Sequence, residues 1–162
     1  MVPAQSAIAH VEGVYNAVMV EGDFVGNIML QGRGAGAGPT ASAVVADIVD
    51  IARGTKIPTF AVPAAKLAKP SPAPMDRHRG AYYIRLMVTD QPGVIADVAA
   101  ALRDHGISME SMLQHGRSST GAVPVVLTTH ETEEAAMIKA LKRIGDLPAV
   151  FEPPHMIRIE AP

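Results

Sequence analysis

Five prolines, Pro58, Pro63, Pro70, Pro72 and Pro74, crowd the stretch between Gly54 and Gly80. Each proline removes a backbone donor and fixes φ, so the density excludes a continuous helix or sheet there and predicts a linker over 55–80. The linker divides the chain, and each flank has to find its own core. Before it, residues 1–54 offer a strand over Val14 to Val20, a turn at Glu21-Gly22-Asp23, a return strand over Phe24 to Leu30, and one helix. Two strands and a helix bury too little apolar surface to offset chain entropy. Val44, Val45, Ile48, Val49 and Ile51 also spread over more than one helix face, which asks for neighbours on several sides. Segment 1–54 is therefore expected to be part of a larger body, or to pack on a second copy or on the C-terminal half.

Between return strand and helix lies "GRGAGAGPT", residues 32 to 40. Pro39 suits the first helical turn, where a missing N–H costs nothing, and Gly38 or Thr40 suits the cap. Gly54 ends the helix as a left-handed residue. Gly32-x-Gly34-x-x-Ala37 fits a G-x-G-x-x-G/A template, but the acid expected about 20 residues on falls at Asp50, inside the helix. The loop is therefore not the main site of a dinucleotide fold. It can bring bare N–H groups and a helix N-terminus to an anion or a cofactor ring. Alternatively, the glycines let the helix cross closely over a sheet.

After the linker, 81–162 reads β-α-β-β-α-β. The strands are Tyr82 to Thr89, Ile107 to Gln114, Val123 to Thr129 and Met156 to Glu160. Helices run from Gly93 to His105, stopped by Gly106, and from Thr132 to Ile144, closed by Gly145. Thr132 is placed at the N-cap, with Glu133 and Glu134 where the helix dipole favours acids. A turn spans Gly116 to Gly121, and Pro124 is tolerable only at a strand start or on an edge. Two βαβ halves of this kind make a ferredoxin-like sandwich. The fold class is thus α+β, with a β-hairpin and helix ahead of it.

Composition narrows the chemistry. The 162 residues carry no cysteine, which removes thiolate metal sites and cysteine nucleophiles. No pair of the six histidines has a metal-ligand spacing such as H-x3-H, so no metal is expected. A net charge of −2 argues against a nucleic-acid partner. No apolar run approaches the roughly 18 residues that span a bilayer, and no signal peptide is evident, so a cytoplasmic location is expected. His105 and His115 read as surface residues.

The stretches "VEGVYNAVMVEG" and "GRGAGAGPTASAVVADIVDIA" resemble the closing part of the catalytic region of homoserine dehydrogenase, over Ile8 to about Arg53. The resemblance makes the hairpin and helix a remnant of an α/β catalytic domain. It implies NAD or NADP as cofactor and interconversion of L-homoserine and L-aspartate semialdehyde, in threonine, methionine and isoleucine biosynthesis. It also implies that Gly36 contacts the nicotinamide end, with Gly34 and Thr40 nearby. The family's Rossmann domain, catalytic lysine and substrate-binding acids have no counterpart among these residues. No catalytic residue is therefore assigned, and the chain alone is expected to be inactive.

"YYIRLMVTDQPGVIADVAAALRDHGISMESMLQ" resembles the ACT domain, a regulatory fold that binds amino acids, over Tyr82 to Glu160. Gly93 permits a tight turn at a helix start. The N–H groups of Gly93, Val94 and Ile95 then point outward, where the dipole favours a carboxylate by about 0.3–1 kcal/mol. Asp90 either takes the effector's ammonium or caps the helix. Gln114 is either a contact from a neighbouring subunit or a solvated strand end. The resemblance implies threonine as effector and a homo-oligomer paired through ACT domains. A second reading is a free-standing amino-acid-binding regulatory protein without catalytic activity.

Overall fold

The computed structural model describes residues 1–56, 60, 62–114, 116 and 121–160. The chain divides into two units, Val2–Ser71 and a second that begins at Pro72 and includes Met1. Parts of the linker, among them Pro58, lie outside the described residues, as do His115 and most of the expected turn at 116–121.

In the first unit, β1 (Tyr15–Gly22) and β2 (Gly26–Arg33) form an antiparallel hairpin with Tyr15 opposite Arg33 and Gly22 opposite Gly26. The connection is therefore Asp23-Phe24-Val25, two residues later than the sequence suggested. Gly26, at φ 72°, supplies the left-handed residue that closes such a three-residue loop. Helix α1 spans Ala37–Ala52. Its cap is Gly36, at φ 118° and ψ 146°, rather than Gly38 or Thr40; the Thr40 N–H donates to Gly36 O at 3.1 Å. Pro39 sits in the first turn as expected. At the other end Gly54 (φ 72°) donates to Ile51 O and Thr55 to Asp50 O, a complete Schellman motif. Backbone hydrogen bonding in this unit is well formed, yet none of its described residues is buried.

The second unit has an antiparallel sheet in the order β4-β5-β3-β7, covered on one face by α2 and α3, as the ferredoxin-like reading required. β3 (Arg79–Thr89) starts three residues early, because Arg79 and Gly80 pair with the two-residue strand β6 (Thr132–Glu133). Tyr82, Ile84, Leu86 and Val88 alternate into the core at 1% exposure or less. Val94, Val98, Ala101 and Leu102 of α2 (Val94–Asp104) meet them. Ile107 does not begin the next strand. Gly106 (φ 70°) turns the chain so that the Ile107 N–H returns to Leu102 O, and β4 starts later (Met109–Gln114). β5 (Ala122–Thr129) is interior, but its pairing with β4 begins at Val125, so Pro124 sits beyond that ladder near the strand start. Helix α3 (Glu134–Gly145) begins two residues after the expected cap. Thr132 is committed to the ladder with Gly80, and His78 O instead accepts the first helical N–H, from Glu134, at 2.8 Å. β7 (His155–Ile159) completes the sheet against β3.

Candidate functional site

The glycine loop leaves the hairpin where the Gly34 N–H donates to Val14 O at 2.9 Å, and enters α1 at Gly36. The four alternate glycines answer to different constraints. A Cβ on Gly32 or Gly38 would meet nothing within 4 Å. A Cβ on Gly34 would lie 1.5 Å from Asn16 Nδ2. Gly36 needs its backbone angles, which L side chains rarely adopt, and a Cβ there would also touch Pro39 Cδ at 3.4 Å. Gly34, Gly36 and Thr40 thus fall together at one helix N-terminus whose outer side is exposed main chain. That arrangement fits close approach by a flat or anionic group. Asp50, by contrast, lies in the last turn of α1.

In the second unit, Gly93 (φ 97°) caps α2 and makes the expected tight turn. No side chain caps this helix, so the capping role for Asp90 is not taken up. Asp90 Oδ1 instead accepts the Gln114 amide at 3.1 Å, which joins the β3–α2 loop to the end of β4. A carboxylate only accepts, so the donor is fixed as Nε2. Gln114 is therefore not merely a solvated strand end. The Val94 N–H turns back to Gln91 O at 3.4 Å, and its side chain is in the core. Ile95 is half-buried beside it. A cavity of about 290 Å³ adjoins the loop, lined by Thr89, Gln91, Pro92, Val94, Asp97 and Pro148 among others, and Thr89 Oγ1 is buried there without a partner.

His105 is half-buried rather than a free surface residue. Its Nδ1 donates to Ala101 O at 2.8 Å and so secures the end of α2. Among the described residues no cluster of histidines and carboxylates is arranged to hold a metal ion, and no helix is long and apolar enough to cross a membrane.

Sequence reasoning missed one ionic cluster. Glu134, only 4% exposed, accepts Arg158 Nε at 2.6 Å and Nη2 at 2.5 Å, while the Tyr82 hydroxyl donates to it at 3.4 Å. The bidentate guanidinium holds the Glu134 carboxyl below its ordinary range. Burial, reinforced by the adjacent carboxylate, pushes the Tyr82 hydroxyl up to about 12. The signal was available: Arg158 shares a face with Met156 on a period-2 strand, so an inward charge was due.

Comparison with known proteins follows the same division. Residues 1–49 match the homoserine dehydrogenase family model, and residues 82–146 match the ACT domain model. Homoserine dehydrogenase of Neisseria gonorrhoeae is 38% identical over 99% of the chain, and that of Pseudomonas aeruginosa 39% over the same share. The crystal structure of a homoserine dehydrogenase from Thiobacillus denitrificans superposes with a TM-score of 0.81 at 41% identity over 99% of the chain. The chain spans 38% of the length of the two curated relatives and 37% of the crystallised one.

Proposed function

We propose that the chain is the C-terminal region of a homoserine dehydrogenase followed by an ACT domain, that it closes the cofactor site of that oxidoreductase and that it couples an amino-acid effector to it. The parent enzyme interconverts L-homoserine and L-aspartate semialdehyde. NAD or NADP, when bound, supplies the hydride acceptor or donor. This chain contributes main chain: Gly36 backs the nicotinamide end, Gly34 and Thr40 flank it, and the N-terminus of α1 faces it. The observation that carries this reading is an exposed glycine loop in a unit without a single buried described residue, whereas the second unit has a full core. Such a unit is built to be covered by more protein.

Because this chain contributes only main chain to that site, its expected outcome by itself in an assay of NADP reduction by homoserine is no turnover. In the complete enzyme bearing this segment, Gly36→Ala places a methyl group where the coenzyme approaches and imposes an unfavourable φ. The Michaelis constant for the dinucleotide should rise; unchanged cofactor kinetics would sink the reading. On the regulatory side, the β3–α2 loop with Asp90, Gly93, Val94 and Ile95, joined by Gln114, takes an amino acid, with threonine as effector, in a homo-oligomer paired through ACT domains. Calorimetric titration of the chain with threonine, isoleucine and methionine tests it, and no heat from any of them would remove the regulatory half.

A further inference from the structure

We infer that Asn16 is a positioning residue for the cofactor-facing loop, a role that rests on the reading of that loop given above. Three consecutive residues at the start of the hairpin hold the loop's exit. Val14 O accepts the Gly34 N–H. The Tyr15 ring lies 5.6 Å beneath the Arg33 guanidinium. Asn16, opposite Gly32 in the ladder, lays its carboxamide over Gly34, where a Cβ would stand 1.5 Å from Nδ2 and 2.7 Å from Cγ. The side chain missing at position 34 is thus replaced by one from the neighbouring strand. Beyond this clamp only Ala35 intervenes before Gly36, which caps α1 at backbone angles that L side chains rarely adopt. With the exit pinned at Gly34 and the entry pinned by the helix, the Gly36 main chain has little room to move. Holding a contact surface in its bound conformation removes an ordering cost from binding, so such bracing serves the affinity for the dinucleotide.

The carboxamide acts here by its shape, which makes the claim testable. In the complete enzyme bearing this segment, dissociation constants for the reduced dinucleotide are read by fluorescence titration, alongside kcat and the KM for homoserine. Asn16→Ala should raise the dinucleotide constant by roughly tenfold, with kcat at saturation and the homoserine KM little changed. Asn16→Leu, which refills the notch without hydrogen bonding, should stay within about twofold of the parent. Gly34→Ala should weaken dinucleotide binding by expelling Asn16, and adding Asn16→Ala to it should cause no further loss. Additive losses, or an unchanged constant in Asn16→Ala while Gly36→Ala still weakens binding, would overturn the role of Asn16 and leave the cofactor reading standing. Unchanged constants in all variants, Gly36→Ala included, would overturn both.

Discussion

The two units obey the same local rules and reach opposite ends. Both terminate a helix with a Schellman motif, at Gly54 and at Gly106, and both pair their strands in antiparallel ladders. In the second unit the apolar stripes of α2 and α3 close over the sheet, and Ile84, Val125 and Met137 are fully buried. In the hairpin unit Leu30 is 67% exposed and Ile51 78%. Helix and hairpin hydrogen bonds are settled by neighbours in sequence, whereas burial needs neighbours in space. The hairpin unit shows the first without the second.

The largest expected contrast comes from shortening one leucine in each unit. Leu86→Ala removes a side chain at 1% exposure and should cost about 2–5 kcal/mol in urea unfolding of the chain. Leu30→Ala should change stability by no more than about 0.5 kcal/mol in this chain, because little is lost from an exposed site. In the complete enzyme the cost at Leu30 should grow. A flat result there would mean the hairpin is covered by nothing.

Next in size is the ionic cluster that has no counterpart in the hairpin unit. Glu134→Gln leaves the Arg158 guanidinium without its carboxylate and should cost about 1–3 kcal/mol. The sign of its pH dependence follows from the lowered pKa of Glu134. The stabilisation is present above the ordinary carboxylate range, about 4.3, and is lost as pH falls through the depressed folded value. Acid unfolding of the parent should therefore carry a component that Glu134→Gln lacks. Tyr82 has the opposite sense. Its folded pKa is raised, so its contribution is full below about 10 and is lost as pH rises through about 12. A spectrophotometric titration of the tyrosines should show one late component.

Gly93→Ala probes whether loop geometry matters equally in both units. At φ 97° the substitution should cost about 1–2 kcal/mol and weaken any amino-acid binding. The smallest effect is expected at Asp104, which bridges Arg143 and Arg103 at the ends of α3 and α2 in an exposed pair of contacts. Hydrogen bonds from Arg143, then Arg103, lower its pKa. Asp104→Asn should lower the melting temperature slightly, and molar salt should erase the difference.

Much of this molecule was legible in its residues, and the failures have a common cause. The alternation of Ile84, Leu86 and Val88, the stripes of α2 and α3, Pro39 in the first turn of α1 and the left-handed Gly54 all follow from periods and torsions that any local stretch carries. The misplacements concern atoms distant in sequence. Thr132 looked like a cap until Gly80 claimed it for a ladder, and Asp90 looked like a cap until Gln114 reached it from β4. Glu134 looked like a solvated dipole acid until β7 brought Arg158 alongside. The alternating glycines read as one motif, yet only the fold separates Gly34, vacated for Asn16, from Gly36, held by its own torsions. Torsional preference and apolar period act within a few bonds and so can be read along the chain. Which polar group meets which is set by where strands and helices finally pack, and tertiary structure alone decides that.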